Sequence, residues 1–160
     1  MKPILIVVVA LSFLCGRGQY QRLSQQDSAS IKTGVRQMLS AISDSMRTRG
    51  LDGWLPFLHQ SPEFSWEFHN HKVSYDSVRA DVLRERALWR SIDLVWDSVL
   101  VKPLTVDSAT LTASYNETVV DNTGKRSVLT GSIEANLVRV SDAWRFQSGR
   151  TFNESPSVGK

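Results

Sequence analysis

Glu117 and Arg150 are the two charged residues whose positions could support chemistry. Each falls on the apolar side of an alternating strand pattern, where an unpaired charge is energetically costly. They could pair directly, or each could meet a ligand of opposite charge. A carboxyl group held among apolar side chains can have a raised pKa and act as an acid or base. Glu117 is therefore a catalytic candidate. The alternatives are a structural ion pair near the rim of the fold, or strands that end sooner than the pattern indicates.

Large aromatic side chains share the expected inward side with these charges. Aromatic residues combined with a few polar groups are typical of a small-molecule site, although buried aromatics also simply fill a core. The candidate ligand-binding residues are Trp54, Trp66, Trp96, Tyr115, Glu117, Trp144 and Arg150, and Phe64, Phe68 and Ser148 belong to the same expected lining.

Metal, nucleotide and nucleic-acid chemistry are not expected. A metal site needs at least three ligands with suitable geometry, and a turn at Asn70 would direct His69 and His71 into solvent. The sequence has no Gly-rich phosphate loop, nucleophile elbow or zinc spacing, so no cofactor is predicted. Its formal net charge is +3, with charges of both signs interspersed. Because no basic stripe is present, nucleic acid is not an expected partner.

Two helical patterns flank a short hairpin pattern in the first half of the chain. Apolar residues from Ile31 to Met46 recur at helical spacing, with Asp27 or Ser28 as a possible cap and Gly50 as the end. A short second helix is predicted over residues 51–59. Alternation over residues 64–68 and 72–75 predicts two short strands. A third helix is predicted after a cap at Asp76 and Ser77, with the apolar face Val78, Val82, Leu88, Trp89 and Ile92.

Four long strands are predicted in the second half. They cover residues 94–102, 109–119, 129–137 and 144–152, with turns at Pro103 to Asp107, Asn122 to Gly124, and Ser141 and Asp142. In the second of them, one side carries Tyr115 and Glu117, and the other is polar and rich in threonine. In the last strand, alternation places Trp144, Phe146, Ser148, Arg150 and Phe152 on one face.

Three segments in this arrangement resemble a known superfamily. Residues 62–66 resemble its first strand, residues 101–115 a strand–turn–strand, and residues 138–146 its closing hairpin. Over residues 31–152 the chain thus resembles the nuclear transport factor two-like superfamily, in its SnoaL-like branch. The resemblance implies an α+β fold in which a cone-shaped, curved antiparallel sheet wraps around three N-terminal helices, with any ligand inside the cone.

The same resemblance argues against a standard active site. Isomerase-like members carry an acidic base on the first hairpin, but the inward positions here are Phe64, Trp66 and Phe68, and Glu67 is expected to face outward. Many members carry a histidine on the last strand, where this chain has Ser148 and Arg150. Catalysis would therefore need Glu117 or Tyr115 as a substitute.

The N-terminal residues of the chain predict export. Lys2 and the apolar run over residues 4–14 have the pattern of a signal peptide, and the run is shorter than the roughly 20 residues of a membrane span. We therefore expect a signal over residues 1–18, a flexible leader over 19–30, a domain over 31–153 and a disordered tail over 154–160. Cys15 could be the lipidated first residue of a lipoprotein, although Leu14 replaces the usual small residue. Alternatively, cleavage after Gly16 or Gly18 removes it. A single cysteine forms no intrachain disulfide.

Three functions remain open from the sequence. The first is an exported, non-catalytic domain that binds a small hydrophobic molecule and forms a homodimer through the threonine-rich face of residues 110–118. The second is a cofactor-independent lyase or isomerase that acts on a small hydrophobic carbonyl compound. The third is a structural dimerisation module whose cone is packed shut. An aromatic-lined pocket is common to the first two, and a catalytic Glu117 is specific to the second.

Overall fold

The structure is a computed structural model that describes residues 23–153. The predicted signal peptide, Cys15 and the tail over residues 154–160 lie outside the described residues. No helix among residues 23–153 is both long enough and apolar enough to cross a membrane.

The first helix, α1 (Gln25–Arg49), begins six residues earlier than the apolar pattern indicates. Its cap is Ser24 rather than Asp27 or Ser28, and Ser24 and Asp27 form a reciprocal capping box. Residues 25–30 therefore belong to the helix and not to a flexible leader. The helix ends at Gly50, whose φ of 65° suits a residue without a Cβ.

A short helical segment and a hairpin follow. The segment Gly50–Phe57 is a 3-10 helix, and β1 (Ser65–Phe68) pairs antiparallel with β2 (His71–Val73). His69 and Asn70 form the hairpin turn with positive φ. Helix α2 (Tyr75–Glu85) is capped by Ser74, so the expected cap at Asp76 and Ser77 is wrong by two residues.

Helix α2 is shorter than the helical spacing of the apolar residues predicted. A 3-10 turn, Arg86–Leu88, leads directly into β3 (Trp89–Thr105), so Trp89 and Ile92 belong to a strand. Pairing of Ile92 with Val119 buries Ile92 in the sheet, which overrides its helical spacing from Leu88. Leu88 is left exposed.

The remaining strands form the predicted meander. They are β4 (Ser108–Asp121), β5 (Arg126–Val140) and β6 (Ala143–Asn153). The six-stranded sheet has the order β2-β1-β6-β5-β4-β3 and is curved but not closed. Its one departure from antiparallel pairing is between β1 and β6, which run parallel, so the sheet is mixed.

One face of the sheet packs on α1 and is called the inner face; the opposite one is the outer face. Alternation in β4 and β5 places the predicted apolar residues on the inner face, and they are buried together with the apolar side of α1. The principal core residues of these three elements are Val35, Ile42, Met46, Ala109, Leu111, Ala113, Val119, Ile133, Ala135 and Leu137.

A bulge in β6 reverses the inward and outward positions of its second half. Leu137 pairs with Phe146, but the preceding residue of β5, Asn136, pairs with Ser148, so Gln147 is the extra residue. Trp144 and Phe146 remain on the inner face, as predicted. Beyond the bulge, Gly149 and Thr151 face inward. The prediction that Ser148, Arg150 and Phe152 face inward is therefore wrong.

Candidate functional site

Glu117 lies on the inner face of β4, as predicted. Its neighbours across the two adjacent strands are Leu94 of β3 and Leu129 of β5. Leu94 is buried and Leu129 packs against the core. Glu117 itself is partly exposed, and apolar side chains flank it on both adjacent strands.

Tyr115 and Trp96 stand beside this carboxylate. Tyr115 is the inner-face residue next to Glu117 on β4, and Trp96 is its partner on β3. Their rings meet edge to face with 5.9 Å between centroids. The Trp96 Nε1–H donates to the Leu39 carbonyl oxygen of α1 at 3.0 Å. This hydrogen bond holds the indole between the sheet and the helix. We call Trp96, Tyr115 and Glu117 the inner site.

The electrostatics of the inner site follow from burial. Desolvation of the carboxylate raises the pKa of Glu117. Burial raises the pKa of Tyr115 to about 12, and the nearby Glu117 charge contributes to this shift. Among residues 23–153, no arginine, lysine or histidine lies within ion-pair distance of Glu117. Within the described part of the chain, the Glu117 carboxylate therefore has no compensating cation, and it stays protonated to a higher pH than an ordinary glutamate does.

Gly131 is a site residue that the sequence interpretation missed. It pairs with Tyr115 from β5, and a Cβ on Gly131 would lie 2.6 Å from the Tyr115 hydroxyl. The absence of a side chain at position 131 is thus what allows the phenol ring to cross the strand. The sequence contained a signal, because glycine within a strand often marks a close approach of another group.

Trp54 and Trp66 meet in a separate aromatic cluster. The Trp66 ring lies 5.7 Å from Trp54 and 5.4 Å from Phe146, edge to face in both cases. Phe64 and Phe68 flank Trp66 on the same hairpin. Trp66 is 2% exposed and Phe146 is 0% exposed, so this cluster is packed as core. Trp54 remains partly exposed at its edge.

The packing of Trp66 depends on the residues beyond the bulge. Its Nε1–H donates to the Thr151 hydroxyl at 2.9 Å, and a Cβ on Gly149 would lie 2.7 Å from its ring. Gly149 and Thr151 therefore take the inward positions that alternation had assigned to Ser148 and Arg150.

Arg150 lies on the outer face, away from Glu117. Its Nε and Nη2 atoms donate to Glu134 Oε2 at 2.9 and 2.5 Å, and its guanidinium stacks 4.7 Å from the centre of the Phe152 ring. The predicted alternative of a Glu117–Arg150 pair is therefore excluded. Glu67 also lies on the outer face, as predicted, beside Arg150 in the pairing of β1 with β6.

Trp144 is separated from the other candidates. It is 7% exposed and lies against α1, where a Cβ on Gly34 would come within 2.8 Å of its Nε1. Together with Met38, Phe57 and Arg145, it lines a groove of about 530 Å³ between α1 and the start of β6. The structure thus divides the seven candidates among four places: the inner site, the Trp54–Trp66 cluster, the Trp144 groove and the outer face.

The described histidines do not form a metal centre. His59 Nδ1 forms a hydrogen bond with Gln147 Oε1 at 2.6 Å, and His69 and His71 lie at the exposed hairpin turn. Within residues 23–153, no group of three or more His, Cys, Asp or Glu residues is close enough to hold a metal ion.

Known structures share this arrangement of a curved sheet around helices. A putative scytalone dehydratase from Novosphingobium aromaticivorans superposes with a TM-score of 0.75, covering 86% of this chain and 93% of that one at 8% identity. A nuclear transport factor 2-like superfamily protein from Salmonella enterica superposes with a TM-score of 0.61, covering 84% of this chain and 96% of the other at 14% identity. The chain has the nuclear transport factor 2-like fold.

Another structure with this nuclear transport factor 2-like fold is a hexachlorocyclohexane dehydrochlorinase from Novosphingobium barchaimii. Its TM-score is 0.66 at 9% identity, and the match covers 86% of this chain and 97% of that one. No protein-family model matches the sequence, and no curated protein is significantly similar to it. At these identities the similarity establishes the fold, and any function must be argued from the residues.

Proposed function

We propose that this protein binds a small hydrophobic molecule at the inner site. The observation that carries this proposal is Glu117, a partly exposed residue that faces inward between apolar neighbours, with no cation of residues 23–153 within ion-pair distance. A ligand with a carbonyl or hydroxyl group could hydrogen-bond to Glu117 while its apolar part contacts Trp96 and Tyr115. Burying a carboxylate without such a partner is costly, which favours a ligand as its complement.

The decisive experiment is native mass spectrometry of protein purified without denaturation and incubated with extract. We expect wild type to retain a small molecule that Glu117→Gln and Trp96→Ala lose. Glu85→Gln is the matched control, because Glu85 is a half-exposed glutamate at the end of α2, far from β4 in the chain. If wild type retains nothing, the binding proposal is wrong and a packed structural module is favoured. If both inner-site variants retain the molecule as well as wild type does, the molecule binds elsewhere and the inner site is the wrong assignment.

A second candidate is a cofactor-independent lyase or isomerase that acts on a small hydrophobic carbonyl compound. It is supported by the raised pKa of Glu117, which brings its proton exchange closer to neutral pH. It is further supported by the similarity to a putative scytalone dehydratase and a hexachlorocyclohexane dehydrochlorinase. In this case Glu117→Gln would still bind the ligand but abolish turnover. In the binding-only case wild type would bind without turnover.

We also propose that the protein is exported and acts as a homodimer through the outer face. Export is supported by Lys2 and the apolar run of residues 4–14. Intact mass of the secreted or envelope form would distinguish lipidation at Cys15 from cleavage after Gly16 or Gly18. Dimerisation is supported by the threonine-rich outer side of β4 over residues 110–118.

A further inference from the structure

One row of side chains crosses the whole outer face with alternating charge. The pairings between neighbouring strands connect Leu100 to Thr112, Thr112 to Glu134, Glu134 to Arg150, Arg150 to Glu67, and Glu67 to Lys72. Its last four positions therefore read negative, positive, negative, positive. Opposite charges on directly paired residues stabilise a sheet only slightly, by about 0.2–1 kcal/mol per pair. Such small gains do not account for a row that spans the sheet.

The outer face also exposes apolar side chains that the monomer does not cover. Leu100 is 68% exposed, Val95 50%, Val128 48% and Phe152 43%, and strand pairing places all four on this side. The four long strands, the shortest of which has 11 residues, present roughly 700 Å² at standard strand spacing. Each partner of a stable dimer commonly buries about 800 Å². The face is thus comparable in size with one side of a stable dimer interface.

The alternating row fits a second copy of this chain. We infer that two copies pack outer face to outer face about a two-fold axis that runs between β5 and β6. Such an axis reverses the row, so Glu134 of each copy lies opposite the partner's Arg150. Thr112 lies opposite the partner's Glu67, and Leu100 opposite the aliphatic stem of the partner's Lys72. This inference rests on the proposed homodimer and specifies its axis.

The Glu134–Arg150 pair is suited to this position. Arg150 Nε and Nη2 both donate to Oε2, and within residues 23–153 neither Glu134 Oε1 nor Arg150 Nη1 takes part in this pair, so both can reach the partner. Stacked sheets cross at about −30°, so only residues near the axis stay aligned. The two Glu134–Arg150 pairs would therefore form a four-membered ring of alternating charges around the axis, while the outer parts of the row are displaced. An axis between Arg150 and Glu67 would leave β3 and β4, with Leu100, uncovered.

The experiment uses two charge reversals, Glu134→Arg and Arg150→Glu, with sedimentation velocity at low salt. Each variant places four like charges around the axis, and like-charge juxtaposition costs several kcal/mol. We expect a dimer for wild type and a dissociation constant at least about 100-fold higher for each variant. The pair is half-exposed and contributes at most about 1 kcal/mol to the fold, so both variants should remain folded by circular dichroism. Arg79→Glu on α2 is the control and should leave the dimer intact.

Mixing the two variants is the sharpest test. In a heterodimer, the Glu134→Arg copy carries two positive charges at the axis and the Arg150→Glu copy carries two negative ones. Opposite charges then face each other, so two monomeric variants should associate when combined. A wild-type monomer would overturn both the homodimer and its axis. Variants that dimerise as wild type does would overturn this arrangement and leave a homodimer through another surface. Monomeric variants that fail to combine would overturn the position of the axis.

Discussion

Glu117 and Tyr115 are adjacent inner-face residues of β4, and the carboxylate charge helps to raise the pKa of the phenol. This relationship links two neighbouring titratable groups on the inner face. It also shows that the environment disfavours the ionised forms of both, because burial raises each pKa. The two residues therefore make the inner site testable through pH as well as through ligand binding.

Glu117→Gln should stabilise the protein at neutral pH. Because the folded pKa of Glu117 is raised, the folded state binds more protons than the unfolded state between about pH 4.3, the ordinary glutamate value, and the folded pKa. Wild-type stability is consequently lost as pH rises through the folded pKa. The advantage of Glu117→Gln, measured by urea denaturation, should shrink as the pH falls to about 4. An advantage that persists unchanged at low pH would contradict the assignment.

Tyr115 should ionise at a higher pH than an ordinary tyrosine does. Its pKa of about 12 predicts a tyrosinate absorbance step in wild type that is missing from Tyr115→Phe. In Glu117→Gln the step should move to lower pH, since the negative charge is removed, but should stay above about 10 because burial persists. Stability should fall as pH rises toward this step. An unchanged titration in Glu117→Gln would show that the two side chains do not interact.

Gly149→Ala should destabilise the protein by about 1–3 kcal/mol, the usual cost of overpacking. The new methyl group would meet the Trp66 ring at 2.7 Å and the Glu134 carbonyl oxygen at 2.9 Å. Ser148→Ala is the neighbouring control on the outer face. Apart from the loss of the hydrogen bond that Ser148 accepts from Asn136, this change should alter the free energy of unfolding by less than about 0.5 kcal/mol. Thermal unfolding of both variants measures this difference. If Gly149→Ala and Ser148→Ala were equally stable, Gly149 would not face Trp66, and the bulge would not lie at Gln147.

Ser24→Ala should cost about 1 kcal/mol by removing the α1 cap. Ser28→Ala, in the first turns of the same helix, should be neutral or slightly stabilising because alanine favours helix. Chemical denaturation of the two variants checks the early start of α1. If Ser28→Ala is the more damaging change, Ser28 rather than Ser24 begins the helix.

The inner site was partly predictable because β4 is regular. Its residues alternate without a bulge from Ala109 to Val119, so the inward position of Glu117 followed from period two alone. The position of Arg150 could not be obtained in this way. A single extra residue at Gln147 exchanges the two faces for the rest of β6, and that bulge is a property of pairing with β5.

Two element boundaries show the same limit. Leu88, Trp89 and Ile92 have helical spacing, but β4 pairs with the chain from Trp89 onward and extends β3 at the expense of the helix. The start of α1 was missed because its first turn is polar and is stabilised by capping rather than by burial. In both places the local pattern is compatible with two structures, and tertiary pairing or a specific cap selects one.

The sequence by itself determined the α+β order of elements, the meander, the core faces of α1, β4 and β5, and the inward Glu117, because periodic burial is written directly in residue spacing. Tertiary structure decided which candidates meet. It brought Trp96 from β3 to Tyr115 and Glu117, packed Trp66 into the core over Gly149, and turned Arg150 outward to Glu134. These outcomes depend on register and bulges between strands distant in sequence, which no local pattern encodes.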